Sequence, residues 1–532
     1  MSKVETLEVL PDPKRMIEGL RDTGYEFNTA IADIVDNSIA ATASKVDIRI
    51  GMDFRGRLRL SIADDGTGMD RTGLLNAMKY GSAQRPHPSS LGKFGLGLKT
   101  ASTAFCRMLM VTARSKPKME TIRAWWDLDH VAKEVKWELL IDTSDKETIE
   151  HLDKVAGKGS GTVVVWEKID RLMKDYADPT GAPARKALGR IVDDLKEHLA
   201  MVFQRFLDTR FKAAPNVTIS VNGDKIEAWD PFCKGESEMV ANETVEVEGA
   251  NASFSINAFI LPRKEEFSSP EAAARAKISN DLQGFYIYRE NRLIHYADWL
   301  GMFSKEPHGT LLRIEFSFDH LLDRAFQIDI KKSQIALNSA LYEHLKDEFL
   351  PAPRRAADNR YRQGQRKKAQ EKAATAHGES NTAIGAKQDQ IGGPVVTAVP
   401  GKDEAVLTNP HGEFKVKLKV TSANKPGEMY VQPIDGLEYN VLFEPALIDG
   451  KKEVRINTSH AYYHKVYVPN LKSGVTVQGM DSLLWALCVA EFSTVNQNTI
   501  EHFTELRYEL SKILNRLVAD LPEPNLDQNE AE

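Results

Sequence analysis

Four strand-like runs follow one another between Arg107 and Ile169: RMLMVTAR, TIRAWWDLD, KWELLID and GTVVVWEKI. Aromatic and apolar residues dominate them, as a half-buried pleated surface requires. A doubly wound parallel sheet needs a crossover helix between successive strands, and no helical period stands between these runs. They predict a largely antiparallel sheet with helices on one face. Upstream, VDIRI (46–50) and LRLSI (58–62) add two more strands, and EFNTAIADIVDNSIAATA (26–43) spaces Ile31, Ile34, Val35 and Ile39 as one helix face. Further helices are expected near 71–80, from about Gly97, and over 182–207.

At 532 residues the chain has room for two to four domains. Residues 1–205 read as one mixed α/β unit and 206–350 as a second, with a hairpin signalled by Asn222-Gly223 and strands in GFYIYRENRLIHY and TLLRIEFSF. Residues 351–412 change character. Pro351 and Pro353 interrupt a helix, Arg354–Lys372 holds eight basic and two acidic residues, and polar residues follow over 373–403, which predicts a basic helix leading into a flexible linker. Residues 413–520 regain strands and end in two helical stretches, 482–497 and 499–520, an α+β region suited to dimerisation or partner binding; 521–532 is an acidic tail.

Hydrophobic residues make up 42% and charged residues 27%, which excludes collagen-like and wholly disordered chains. No run of about 18 apolar residues is present, so no transmembrane helix is expected. The start, MSKVETLEVLPDPKR, lacks the apolar segment of a signal peptide. Three scattered cysteines (Cys106, Cys233, Cys488) suit a reducing compartment and have no zinc-ligand spacing, so a cytoplasmic protein is expected. The net charge of −6 gives no global attraction to nucleic acid, so any DNA contact must be local.

Three segments carry candidate chemistry. Asp33 and Asn37 are four apart on the first helix and share a face, so a carboxylate base can stand beside a carboxamide metal ligand. Ala63-Asp64-Asp65-Gly66-Thr67-Gly68-Met69 follows a strand directly: the glycines allow close backbone approach, and Asp64 can accept from a ligand amine. Gly92-Lys93-Phe94-Gly95-Leu96-Gly97-Leu98-Lys99-Thr100 opens a helix whose N–H groups suit phosphate. It is not a P-loop, because Leu98 separates Gly97 from Lys99, and Thr100 stands where a dinucleotide fingerprint needs glycine.

In order and spacing these segments resemble the GHKL, or Bergerat-fold, ATPases, the superfamily of gyrase B, heat-shock chaperones, histidine kinases and MutL. A later Gly161-Thr162 matches a fourth element, and GKFGLGLKTAS and AIADIVDNSIAA look most like the MORC branch. The resemblance implies an α/β two-layer sandwich with a mixed, mostly antiparallel sheet over 1–205, and a transducer domain over 206–350. It implies ATP and Mg²⁺ as cofactors. Asp33 would orient and deprotonate the attacking water, Asn37 would give its side-chain oxygen to Mg²⁺, and Asp64 would read the adenine amine. Gly66, Gly68 and Met69 would line the base, and Thr162 would bond near it. Gly92, Lys93, Phe94, Gly95, Leu96 and Gly97 would form a lid (81–95) and its hinge on the phosphates, with Lys99 close by.

Phe326-Gln-Ile-Asp-Ile-Lys331-Lys332 resembles the transducer segment that returns a lysine to the γ-phosphate; the register favours Lys332, with Lys331 as the alternative. One departure matters. The family usually has glutamate where Asp33 stands, so the side chain is one methylene shorter, and slow hydrolysis is expected. Asp36 reads as structural or as a water-mediated adenine contact, and Arg289 and Arg292 as structural or DNA-contacting. His460 and His464 lack a third ligand, and Pro410-His411-Gly412 lacks the cysteine of a MutL nuclease motif, so neither metal binding nor nuclease activity is expected there.

The resemblance thus implies an ATP-gated homodimeric clamp, joined at its N-terminal domains by ATP. It would act on double-stranded DNA in a bacterial antiviral defence or restriction-type system, with a partner nuclease or effector subunit. Its rivals are a chaperone-like protein-remodelling ATPase and an ATP-switched scaffold with little hydrolysis.

Overall fold

The computed structural model describes residues 12–22, 24–81, 97–117, 119–173, 176, 178–247, 252–323, 339–422, 429–471, 473–496 and 498–522. They divide into two compact units, 1–357 and 358–532.

The first unit begins with helices α1 (Pro13–Arg21) and α2 (Phe27–Ala40), strands β1 (Lys45–Met52) and β2 (Leu58–Asp64), and helices α3 (Arg71–Met78) and α4 (Gly97–Thr103). Then come β3 (Cys106–Arg114), β4 (Ile122–Asp127), α5 (Leu128–Glu134), β5 (Leu140–Asp142), α6 (Lys146–Ala156) and β6 (Gly161–Ile169). Helices α7 (Ala182–Val202) and α8 (Gln204–Leu207) and strands β7 (Thr218–Val221) and β8 (Asp224–Lys225) follow.

These eight strands form one sheet in the order β5-β4-β3-β6-β2-β1-β7-β8. Every pairing is antiparallel except β1 with β7. The antiparallel character agrees with the sequence reading, but two helices interrupt the strand run: α5 follows β4 and α6 precedes β6. Helix α5 returns the chain to β5 as the antiparallel neighbour of β4, whereas α6 carries it past β4 and β3 to β6. The period-two pattern decides the faces. Leu60 and Ile62 of β2 join the main core beneath α2, α4 and α7, whereas Ala63 packs with Leu152 of α6 on the opposite face. Each such fully buried aliphatic side chain contributes about 1.5–3 kcal/mol. Asn222 and Gly223 both have positive φ (52° and 92°), the two-residue turn their sequence predicts between β7 and β8.

A second sheet takes β9 (Glu238–Val247), β10 (Ala252–Ile260), β11 (Gly284–Arg289), β12 (Arg292–Asp298) and β13 (Leu312–Phe318), in the order β12-β11-β13-β10-β9. It has its own core around Ile256, Phe285, Ile314 and Phe316, which Leu345 and Phe349 complete from the chain beyond the sheet. Short helices α9 (Pro270–Arg275) and α10 (Ser339–Glu343) accompany it.

A helical turn over His344–Phe349 ends at Leu350, and Pro351 opens a new helix, α11 (Pro351–Gly385), as proline at a first turn can, whereas Pro353 lies within it. The stretch 373–403, expected to be flexible linker, holds the end of α11, helix α12 (Gln388–Ile391) and strand β14 (Val395–Ala398). It is ordered because Ile384 buries into the core of the second unit and Asn381 is a hub there: its Oδ1 accepts the backbone N–H groups of Tyr430 and Val431 at 2.7 and 3.0 Å. Strands β15 (Glu404–Asn409) and β16 (Gly412–Lys417) complete an antiparallel sheet with β14. Strands β17 (Lys419–Thr421), β18 (Val431–Ile434), β19 (Phe443–Ile448) and β20 (Lys451–Asn457) make another, ordered β17-β19-β20-β18. Helices α13 (Gly474–Thr494) and α14 (Ile500–Leu517) close the unit. Among the described residues no helix is long and apolar enough to cross a membrane.

Candidate nucleotide site

Helix α2 is buried nearly all round: Ile31, Ile34 and Val35 face the core, yet Asp33 and Asp36 are buried with them. Buried carboxylates are retained only with partners. Asp33 accepts a hydrogen bond at Oδ2 from the Tyr25 hydroxyl at 3.1 Å, and its Oδ1 lies 3.8 Å from Nη2 of Arg292. Asp36 is paired with the same arginine, Nε to Oδ2 at 3.2 Å. One turn beyond Asp33, Asn37 is the half-buried position on this stretch of the helix. A Cβ at Gly97, the first residue of α4, would lie 3.7 Å from Asp33 Oδ2, so the start of α4 adjoins the carboxylate.

The second element is the end of β2. Asp64 is buried; Oδ2 accepts from the Ser38 hydroxyl at 2.9 Å and Oδ1 from the Gly66 amide at 3.0 Å. Burial pushes its carboxyl up to about 6, although Gly66, Ser38 and the Thr162 amide pull the other way. A carboxylate has about four acceptor positions, so capacity is left for a ligand amine. Thr162 is the direct cross-strand partner of Asp64. Three backbones converge here. Gly68 has φ +62°, and a Cβ there would stand 2.0 Å from the Arg114 carbonyl oxygen; one at Gly161 would stand 2.3 Å from the Asp64 carbonyl oxygen. Only glycine allows this approach. Met69, half-buried, packs against the main core.

Asp33, Asn37, Asp64, Gly66, Gly68, Met69, Gly97 and Thr162 thus sit on α2, the β2 end, the β6 start and the α4 start, elements that pack together in one domain. Lys99, expected near the phosphates, lies on α4 two residues beyond Gly97. It is buried, and its ammonium donates to the Ala77 carbonyl at 2.9 Å, near the C-terminus of α3, where helix carbonyls favour a cation. Gly92, Lys93, Phe94, Gly95 and Leu96, with Lys331 and Lys332, lie outside the described residues.

Tyr25 and Ser38 escape sequence reasoning, as does the partner of Arg292. Ser38 follows Asn37 but meets Asp64 only through helix-on-sheet packing, and Arg292 is far along the chain from Asp36. Arg289 and Arg292 are both buried and ion-paired to carboxylates, which leaves neither side chain for DNA phosphate.

His460 uses both ring nitrogens internally, on the Ser511 carbonyl and the Tyr462 amide at 3.1 Å each. His411 sits in the turn between β15 and β16. Among the described residues no group of three or more His, Cys, Asp or Glu is arranged to hold a metal. A cation here would need oxygens from the ligand itself. That is how Mg²⁺ commonly binds, with one or two protein oxygens and the rest from phosphate and water, and the Asn37 carboxamide fits that requirement.

The family described as histidine kinase-, DNA gyrase B- and HSP90-like ATPase matches residues 25–162. The ATPase MORC2B of Mus musculus is 36% identical over 77 residues, 14% of this chain and 8% of that protein's length. Among solved structures, the N-terminal domain of a DNA repair protein aligns over 66% of this chain and 99% of its own, at 16% identity and a TM-score of 0.39, a likeness too loose to bear on fold or function. The family match begins at the tyrosine beside Asp33 and ends at the strand partner of Asp64, so residues 25–162 are similar to the GHKL-type ATPase domain, and a 77-residue stretch of the chain is similar to one MORC ATPase.

Proposed function

We propose that the protein binds and hydrolyses ATP, with Mg²⁺, and acts as an ATP-gated homodimeric clamp on double-stranded DNA. The observation that carries this reading is a pair of buried carboxylates tied to one helix: Asp33 on α2, held by Tyr25, and Asp64, held by Gly66 and by Ser38 of the same α2. Asp64 accepts from the adenine amine, with Thr162 beside it. Gly66 and Gly68 bring backbone against the base. Asn37 holds the cation, which supplies neutralisation of phosphate charge when bound. Asp33 orients and deprotonates the attacking water; its short side chain makes turnover slow. Gly97 donates to phosphate from the start of α4; the lid over 81–95 and the γ-phosphate lysine, Lys332, are roles carried by the family resemblance, and residues 82–95 and Lys332 fall outside the described residues.

DNA engagement rests on the likeness to MORC ATPases and on the +6 stretch Arg354–Lys372 of α11. A bacterial defence or restriction role with a partner nuclease or effector, in the cytoplasm, is the setting that likeness suggests. Asp33→Asn should bind an ATP analogue in calorimetry and release no phosphate, while Asn37→Ala should lose Mg²⁺-dependent affinity. Turnover at the wild-type rate in Asp33→Asn would remove Asp33 as the base and leave an ATP-switched scaffold as the better reading.

A further inference from the structure

The β11–β12 hairpin links two places that the sequence separates widely. Its turn is Glu290-Asn291, both with positive φ (49° and 66°), the two-residue geometry that matches strand twist. This tight turn makes Arg289 and Arg292 the last cross-strand pair, and both side chains are buried. They leave the hairpin for different partners. Arg289 grips the Asp323 carboxylate with two bonds of 2.6 and 2.9 Å at the end of the described part of the second sheet. Arg292 reaches α2, where its Nε holds Asp36 at 3.2 Å, while its Nη1 donates to the Leu293 carbonyl of its own strand at 3.0 Å.

The remaining nitrogen, Nη2, is the informative one. It is buried and has no hydrogen-bond partner among the described residues, yet it stands 3.8 Å from Asp33 Oδ1. A buried unsatisfied donor costs about 1–3 kcal/mol. At 3.8 Å there is no hydrogen bond, but an approach of less than about 1 Å would make one. The other groups facing this guanidinium do not compete for it. His198 is held neutral, pushed down to about 4 by burial and by the arginine itself, and the Phe203 ring lies 6.0 Å away. Tyr25 already takes Asp33 Oδ2, so a bond from Nη2 would fix the carboxylate at both oxygens.

We propose that Arg292 is a positioning residue for Asp33, and that movement of the second sheet, by closing or opening the gap from Nη2 to Oδ1, sets how well Asp33 is aimed. The inference rests on the reading of Asp33 as the base. It explains how an aspartate can serve at a position where reach is short: a clamp from two sides replaces the missing methylene with orientation. The guanidinium suits this because its planar fork can serve Asp36 and Asp33 together, whereas an ammonium can neutralise Asp36 without holding both.

The test is Arg292→Lys in the full-length protein, which keeps the charge that Asp36 requires. Expected are nucleotide-analogue affinity within about twofold of wild type and a kcat lower by roughly 10²-fold, the scale of a 1 Å misplacement. Hydrogen exchange supplies a readout apart from activity. In the wild type, an ATP analogue should change exchange across 284–298; in Arg292→Lys it should bind and leave those amides unchanged. Should the lysine variant fail to fold, Asp36→Asn combined with Arg292→Gln removes both buried charges and leaves an amide pair, with the same outcomes expected. A wild-type kcat in whichever variant folds, or a wild-type hairpin indifferent to nucleotide, overturns the proposal. If Asp33→Asn retains turnover, the assignment of the base falls first; if Asp33→Asn is inactive and Arg292→Lys is not impaired, only the role of Arg292 falls.

Discussion

Asp64 should make stability and nucleotide binding respond to pH in opposite directions. Its carboxyl rises from the ordinary 3.8 to about 6 because burial penalises the charged form more than Gly66, Ser38 and Thr162 stabilise it. A raised acid holds its proton more tightly in the fold than in the unfolded chain. Its contribution to stability is therefore complete below 3.8 and lost as pH rises through about 6. The difference corresponds to about 3 kcal/mol. Ligand binding runs the other way. A protonated Asp64 offers one acceptor fewer to the adenine amine, so affinity should fall about tenfold for each pH unit below 6. ADP affinity measured by calorimetry from pH 5 to 8, in wild type and Asp64→Asn, isolates the effect, because titration of the phosphates is common to both. Wild type should lose affinity towards pH 5 beyond what the variant loses, while its denaturation midpoint rises relative to the variant. Parallel affinity curves in the two proteins would refute the assignment of Asp64 as the adenine acceptor.

Other expectations concern packing, DNA and assembly. Gly68→Ala combines a left-handed conformation, costing about 1–2 kcal/mol, with a Cβ driven against the Arg114 carbonyl, typically about 1–3 kcal/mol more; an unchanged urea midpoint would contradict the crowding at this turn. Replacing Arg360, Arg362, Arg366, Lys367 and Lys368 with Ser should flatten the slope of log K for DNA against log salt by several units, at roughly 0.9 for each lost phosphate contact. Arg354 stacks on the Phe303 ring at 3.6 Å and is left in place for that reason; the side chains of 366–368 lie outside the described residues. An unchanged slope would assign the stretch to solubility and favour the chaperone-like reading. On α14, Leu506, Ile513 and Leu517 are exposed at seven- and four-residue spacing, one apolar face. Their replacement by Ser should lower the association state in light scattering if the C-terminal helices form a constitutive dimer contact, and leave it unaltered otherwise.

Features governed by local periodicity and backbone sterics were legible in the residues alone. Asp33 and Asn37 share a helix face because four residues make about one turn. Asn222-Gly223 turns a hairpin because both residues tolerate positive φ, and Gly66, Gly68 and Gly161 stand where backbone leaves no room for a side chain. The antiparallel sheet was legible in the run of strands, but α5 and α6 were not: the seven residues of α5 make only two turns, and α6 has just Ile149, Leu152 and Val155 to mark its apolar side. The ordered stretch after 373 was also hidden: its polar composition reads as linker, and only Asn381 and Ile384 finding buried partners makes it structure. Strand order belongs to the tertiary structure alone; β6 inserts between β2 and β3, a choice made by packing across a hundred residues. So do the partners that make the carboxylates usable. No spacing rule joins Ser38 to Asp64 or Arg292 to Asp36, because a buried charge takes its counter-charge from whatever the fold brings within a few ångströms, however far apart the two lie in the chain.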